Sequence, residues 1–221
     1  MSVKEIKLLV FDWDGTLADS EHFIVNAMQA AIEQHGLEFR SRNAIRNVIG
    51  LGLREAVAAL FPELGGAGHE KLADRYRQNY SASASGKTAL FPEVITTLVK
   101  LQKLDYKLAI ATGKSRKGLD NSLQETGIGD FFHITRCADE TFSKPHPQML
   151  FEIMDHLLVR PEQTLMIGDS EYDLLMAKNA NVAPVAVSYG TQNRERLLAH
   201  RPLACLDRLD ELPEWLACNI C

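Results

Sequence analysis

Nowhere does the sequence hold an apolar run near the roughly 20 residues that span a bilayer, which excludes a membrane-crossing helix. Basic clusters are missing too: 24 Lys and Arg stand against 29 Asp and Glu, a formal charge of −5, and no segment concentrates positive charge. Nucleic acid and anionic membrane surfaces are therefore poor matches as partners. Cysteine is scarce. Cys137, Cys205, Cys218 and Cys221 make no disulfide framework in a chain of this size. Cys218-Asn219-Ile220-Cys221 has C-x-x-C spacing, but no second Cys or His pair lies beside it to complete a zinc site. Reduced thiols on a frayed tail are the expectation. The N-terminus places Lys4, Glu5 and Lys7 before a very brief apolar run, which is no secretory signal, so a cytoplasmic location is expected. No internal repeat is visible.

What remains is the composition of an ordinary soluble protein, 46% hydrophobic and 24% charged over 221 residues. That length buries a substantial core, as one domain or as one domain with an insertion.

The most informative stretch is Leu8-Leu9-Val10-Phe11-Asp12-Trp13-Asp14-Gly15-Thr16-Leu17. A short apolar run reads as a buried strand, and it ends in two carboxylates one residue apart. Burying one carboxylate is costly, and a second beside it adds like-charge repulsion unless a cation intervenes. Such a strand end asks for a divalent metal, a catalytic task, or both. Trp13 is expected to point away into the core, since neighbours on an extended chain alternate faces.

After Ser20 the pattern turns helical. Phe23, Ala27, Ala30 and Gln34 follow helical spacing up to Gly36, and Leu53, Val57, Leu60 and Phe61 form a second stripe stopped by Pro62. A third helix is predicted over 70–80. Ser81-Ala82-Ser83-Ala84-Ser85-Gly86 reads as a small polar linker. Residues 18–88 thus form an all-helical insertion into a main body of residues 1–17 and 89–221. From Phe91 onward helices are predicted over 93–104, 116–125, 148–158, 172–179 and 209–217. They alternate with strands over 107–111, 131–135, 164–167 and 184–187. This alternation predicts parallel strands with right-handed crossovers, a doubly wound α/β sheet.

In such sheets function gathers at the carboxyl ends of strands. Asp12 and Asp14 fall there, as do Thr112-Gly113-Lys114-Ser115, Lys144-Pro145 and Gly168-Asp169-Ser170. Asp12, Asp14 and Asp169 offer the hard oxygen ligands that Mg²⁺ accepts. Asp173, one turn beyond Asp169, faces the same side, where it can hold a metal-bound water. Alone, Asp169-Ser170 would read equally well as a helix cap. Thr112-Gly113 presents a hydroxyl and backbone N–H groups to a phosphate, and the Lys144 ammonium neutralises charge on a transferring phosphoryl group. Together these parts suit phosphoryl transfer through an aspartyl phosphate, with Asp12 as nucleophile and Asp14 as the proton carrier.

The constellation resembles the haloacid dehalogenase (HAD) superfamily over essentially the whole chain. Its four motifs stand in order as Asp12-Trp13-Asp14-Gly15-Thr16, Thr112, Lys144-Pro145 and Gly168-Asp169-Ser170-x-x-Asp173. The first and last are specific; the middle two convince only in company. The helical insertion resembles the C1 cap of the phosphoglycolate-phosphatase and β-phosphoglucomutase branch. The resemblance implies a Rossmann-like core, a mobile cap, and Mg²⁺ bound by the side chains of Asp12 and Asp169 with the backbone carbonyl of Asp14.

Single residues separate readings within that superfamily. Dehalogenases and phosphonatases lack the carboxylate that Asp14 supplies. Phosphoglucomutases carry a cap histidine twelve positions after the nucleophile, where this chain has Ile24. His22 is near, but two residues on a helix displace a side chain by about 200°. The cap loop Gly50-Leu51-Gly52-Leu53-Arg54-Glu55 looks like the substrate-recognition loop of the branch, with Arg54 as a grip for an anionic group. Asn181 and Glu93 stand where the family often has glycine. The expected protein is a Mg²⁺-dependent phosphatase of small phosphomonoesters such as phosphoglycolate or a sugar phosphate, with no obligate protein partner. A phosphosugar mutase and a non-catalytic metabolite-binding regulator are the alternatives.

Overall fold

The computed structural model describes residues 5–84 and 88–219. Strand β1 (Leu8–Phe11) leads into helices α1 (Glu21–Gln34), α2 (Arg42–Arg46), α3 (Leu53–Leu60) and α4 (Gly66–Ala84). Helix α5 (Val94–Lys103) and strand β2 (Lys107–Thr112) follow, then α6 (Arg116–Thr126), β3 (Ile134–Cys137) and α7 (Gln148–Leu157). The chain closes with β4 (Thr164–Gly168), α8 (Glu171–Asn179), β5 (Ala183–Val187), α9 (Arg194–Ala199), β6 (Cys205–Leu206) and α10 (Leu212–Asn219). All six strands are parallel, in the order β3-β2-β1-β4-β5-β6. The strand order reverses beside β1, so the ends of β1, β2 and β4 open into one crevice, the place where such sheets take ligands.

The sheet is covered on both faces, which explains why its strands read as unbroken apolar runs. Leu9 and Phe11 turn to a core shared with Leu98, Leu119 and Leu212, while Leu8 and Val10 turn to one shared with Ile153, Met166 and Met176. Trp13 is fully buried in the first of these cores, as the alternation of faces predicts. The helical insertion has a core of its own, built from Val25, Met28, Ile32, Val57, Phe61 and Leu72. Its two connectors run side by side: Asp19 N–H donates to Ala89 O at 2.9 Å and Phe91 N–H to Leu17 O at 3.0 Å. None of the described helices is long and apolar enough to cross a membrane.

Several boundaries differ from the sequence expectation. Ser81 to Ala84 belong to α4 and not to a linker, and Ser85 and Gly86 lie outside the described residues. Ser83 Oγ donates to Asn79 O at 2.9 Å, the back-bonding by which serine joins a helix. The strand expected over 131–135 runs instead over Ile134–Cys137. Phe131 ends a 3₁₀ turn, and both Phe131 and Phe132 pack against the core. The last helix begins at Leu212, after a separate 3₁₀ turn. Short α2, α9 and β6 carry too little periodicity to be read from sequence. Asn181 adopts φ 57° and Glu93 φ 64°, so both occupy the left-handed conformation that glycine accepts most easily. Cys137, Cys205 and Cys218 are free thiols; Ile220 and Cys221, which complete the C-x-x-C spacing, lie outside the described residues, as does Lys4.

Candidate active site

Asp12 leaves the end of β1 fully buried. Its Oδ1 accepts the Trp13 N–H at 2.6 Å and pairs with Lys144 Nζ at 2.7 Å. Its Oδ2 is buried with no hydrogen-bond partner. A buried carboxylate oxygen left unpaired is costly, so this atom needs a ligand or a reaction partner.

Lys144 arrives from the loop between β3 and α7 and bridges Asp12 to Asp173 Oδ1, at 2.6 Å. Burial works against the Lys144 charge, but the two carboxylates outweigh it and hold its pKa well above the usual lysine value. Asp173 Oδ2 accepts from Ser170 N–H at 3.1 Å and Ser170 Oγ at 2.6 Å. A cap at this helix start is therefore present, shared between Ser170 and Asp173. Asp173 closes the first turn of α8 and also anchors the lysine.

Asp169, at the end of β4, accepts from Thr16 Oγ1 at 3.0 Å and from the N–H and Oγ1 of Thr191 at 2.7 and 2.6 Å. Gly15 is shaped for it. At φ 86° a side chain would be strained, and a Cβ there would lie 2.3 Å from Asp169 Oδ2. Carboxylate oxygens of Asp12, Asp169 and Asp173 lie within 4.8 Å of one another. Burial, then mutual repulsion, raises Asp12 well above the carboxylate range and Asp169 to about 6. When all three are ionised, these carboxylates face one ammonium, an excess of two negative charges. With the orphaned Asp12 Oδ2, that excess fits a divalent cation bound through hard oxygens.

Asp14 turns elsewhere. Its carboxylate accepts from Ser20 Oγ at 2.6 Å and from Lys114 Nζ at 3.0 and 3.3 Å. Lys114 Nζ also donates to the Tyr80 hydroxyl at 3.1 Å and lies 4.7 Å from that ring's centre. Burial opposes the Lys114 charge, but Asp14, Tyr80 and Tyr76 together keep its pKa well above normal. Ser20, Tyr80 and Lys114 were not assigned from the sequence. Lys114 stood in view two positions after Thr112, yet a lone loop lysine signals nothing until its partner is known.

Thr112 is buried at the end of β2, and its Oγ1 accepts the Lys114 N–H at 3.1 Å, which bends the Thr112-Gly113-Lys114 turn. The insertion presses on this turn: a Cβ on Gly113 would lie 2.4 Å from Leu51 O and 2.6 Å from Gly50 O. Gly52 N–H donates to Ser143 Oγ at 2.7 Å, and Asn47 accepts from Tyr172 and Arg196 at 3.0 and 2.8 Å. The loop over 47–52 thus touches three of the site-forming loops. Arg54 does not join them. Its guanidinium pairs with Glu70 of α4 at 2.8 Å and its side chain is 72% exposed. A polar cavity of about 410 Å³ lies along the same seam, between Asn43, Arg46 and Asn47 on one side and Thr191, Gln192 and Arg196 on the other.

A parallel sheet with a switch point beside β1, an acidic strand end, a buried lysine and a second, nearly buried one on neighbouring loops suits phosphoryl-transfer chemistry. The haloacid dehalogenase-like hydrolase family matches residues 9–187, and the chain belongs to that family. Relatives of this chain are named phosphatases. The chain is 33% identical to a probable phosphatase, IndB, of Dickeya dadantii, over 93% of this chain and 91% of that one. It is 32% identical to a phosphoglycolate phosphatase of Vibrio vulnificus, over 96% of each. Among solved structures, a haloacid dehalogenase-like hydrolase from Bacteroides fragilis superposes with a TM-score of 0.88 at 28% identity, covering 94% of this chain and 100% of that one.

Proposed function

We propose that this chain is a Mg²⁺-dependent phosphatase of small phosphomonoesters that works through an aspartyl phosphate on Asp12. Residues 18–88 act as a lid over the core of residues 1–17 and 89–221. One observation carries the reading: Asp12 Oδ2 is a buried carboxylate oxygen without a hydrogen-bond partner, clustered with the carboxylates of Asp169 and Asp173. The Asp12 carboxylate attacks phosphorus and the bond from phosphorus to the leaving oxygen breaks. Asp14 gives its proton to that oxygen, then removes one from a water that attacks the aspartyl phosphate. Inorganic phosphate leaves and both carboxyl groups return to their starting states. Thr112, Gly113 and Lys144 hold the phosphoryl oxygens. The side chains of Asp12 and Asp169 and the carbonyl of Asp14 would hold Mg²⁺, which when bound neutralises phosphoryl charge, while Asp173 keeps Lys144 in place. Closure of the lid excludes water.

The expected partner is a phosphorylated metabolite, in the cytoplasm and without nucleic acid or membrane. Nothing favours the mutase alternative, since Ile24 packs against the insertion's own core and His22 is exposed. The test is Asp12→Asn, assayed with Mg²⁺ on a panel of phosphorylated metabolites. Turnover and phosphoenzyme labelling are both expected to vanish, and retained activity would remove Asp12 from the role.

A further inference from the structure

We infer that the polar cavity between the helical insertion and the core is a second binding site, which takes a small metabolite through a phosphate or carboxylate oxyanion and ties the two parts of the molecule together. The insertion contributes Arg46 and Asn47 to its wall, and the core contributes Gln192, Asn193 and Arg196. None of Asp12, Asp14, Thr112, Lys144 or Asp169 lines it. The inference therefore stands or falls separately from the phosphatase reading. At about 410 Å³ the cavity has the size of an ordinary small-molecule site.

Hydrogen bonding fixes how the wall presents its polar groups. Three carboxamides in it have their oxygen committed to the fold. Asn47 Oδ1 accepts from Arg196 Nη1 at 2.8 Å, Gln192 Oε1 from the Glu171 N–H at 2.8 Å and Asn193 Oδ1 from the Arg196 N–H at 2.9 Å. Turning any of these amides over would set an NH2 group against an N–H donor, so each keeps its orientation. Their NH2 groups are then the ends left for another molecule, and none has a partner among the described residues. Gln192 is 3% exposed, and its Nε2 is buried with no hydrogen-bond partner. A buried donor left in that state is costly and needs an acceptor.

Charge points the same way. Arg46 and Arg196 are the charged side chains of the wall, and no carboxylate lines it among the described residues. Arg196 is spent on Glu171 and Asn47. Arg46 pairs with Glu21 through Nε at 3.0 Å, which leaves the donors of both Nη groups without a partner among the described residues. The hydroxyl oxygens of Ser188 and Thr191 can accept, but their protons already go to Leu206 or Asp207 and to Asp169. With Asn43, whose amide is uncommitted, they are outnumbered by the fixed donors. A ligand that only accepts matches such a wall best, and the planar fork of an arginine beside amide donors matches an oxyanion. Arg46 and Asn47 sit on the insertion, while Gln192 and Asn193 follow Thr191, the residue that holds Asp169. An anion seated here thus joins the insertion to the loop that supports the acidic cluster.

The test reads the amide groups themselves. The full chain, labelled with nitrogen-15 and kept in Mg²⁺ buffer, is titrated with inorganic phosphate and separately with malonate. Asn47→Asp, Asn193→Asp and Gln192→Glu each delete one side-chain NH2 signal and so assign it, while the Gly113 backbone N–H reports on the active site. The NH2 signals of Asn47, Asn193 and Gln192 are expected to shift saturably with one shared Kd. The anion that binds more tightly identifies the oxyanion as phosphate or carboxylate. Asn47→Asp and Asn193→Asp keep the oxygens that Arg196 needs but replace a donor with an acceptor. Each should weaken binding roughly ten- to hundredfold, read at the remaining NH2 signals, the range of a hydrogen bond to a charged group. Arg46→Met should weaken it as much. Shifts confined to Gly113 would place the anion in the active site alone and overturn the proposal. So would NH2 shifts that do not saturate with either anion, which mark a general salt effect. An unchanged Kd in Asn47→Asp or in Asn193→Asp would remove one wall from the site and overturn the bridge. None of these results bears on Asp12 as nucleophile, which the phosphoenzyme assay decides.

Discussion

Lys144 Nζ lies 2.7 Å from Asp12 Oδ1, with essentially none of either side chain exposed. A buried ion pair gains little over an apolar pair of the same shape, but removing one partner leaves a charge that the interior cannot hold. Here the remainder would be three carboxylates with no ammonium among them. Lys144→Met is therefore expected to lower stability by about 3–5 kcal/mol in the absence of divalent ions, read by urea denaturation in chelator. Added Mg²⁺ should recover part of that loss while turnover stays at least roughly 10²-fold down. A stability change under about 1 kcal/mol in chelator would mean that the carboxylates take up protons instead.

Asp14 is separated from that cluster, and its removal should act differently. Asp14→Asn keeps an acceptor for Ser20 and Lys114 but cannot carry a proton. Turnover of alkyl phosphates is expected to fall roughly 10²- to 10⁴-fold. The loss on p-nitrophenyl phosphate should be smaller, since that leaving group needs little protonation. Mg²⁺ titration by calorimetry should be nearly unchanged, because the proposed contact comes from the backbone carbonyl. Lost Mg²⁺ binding would assign Asp14 a structural part in the metal site.

The pH dependence follows from Asp169, raised from the usual carboxylate value of 3.8 to about 6, chiefly by burial and then by Asp173. A folded pKa above the unfolded one means stability from this group is fully present below about 4 and is lost as pH rises through about 6. A cation binds the ionised form and reverses that loss, so metal and proton compete. The Mg²⁺-induced rise in Tm, measured against chelator at each pH, is expected to grow between pH 5 and pH 7.5. Mg²⁺ affinity should weaken as pH falls below about 6. A constant increment across that range would exclude Asp169 from the metal site.

Much of this site is legible in the chain because it depends on strand ends. Leu8 to Phe11 announce a buried strand, and Asp12, Thr112 and Asp169 each follow such a run, so topology alone brings them together. Lys144 is harder to read, since its loop has no regular pattern, and it becomes meaningful only beside Asp12 and Asp173. Ser20 and Tyr80 lie outside that logic, and Lys114, although it follows a strand end, gains meaning only beside Asp14 and Tyr80. Tyr80 sits on an amphipathic helix where an aromatic residue is ordinarily packing material, and its meeting with Lys114 depends on how the insertion docks. Thr191, which gives Asp169 two hydrogen bonds, follows β5 in a loop without any motif. Periodicity reports which face of an element is apolar. It does not report which distant polar groups those faces carry into contact.

Glu93 offers a test of the fold that leaves the chemistry alone. It precedes α5 with φ 64° and ψ 1°, a left-handed conformation that costs a residue with a side chain about 1–2 kcal/mol. Glycine removes that strain and gives back about 0.5–1 kcal/mol through the greater freedom of the unfolded chain. The difference predicts that Glu93→Gly stabilises the protein by about 0.5–1 kcal/mol, a rise in Tm of roughly 1–4 °C for a chain of this length. The carboxylate pairs with Arg208 at 3.3 Å on an exposed surface, and such pairs contribute little. Its backbone carbonyl accepts the Thr97 N–H at 2.8 Å and the Thr96 Oγ1 at 2.9 Å, both of which glycine retains. Glu93→Ala serves as the control, since it removes the charge but keeps the strained backbone, and it should give no gain. If alanine stabilised as much as glycine, the benefit would come from the lost carboxylate and not from the relieved conformation.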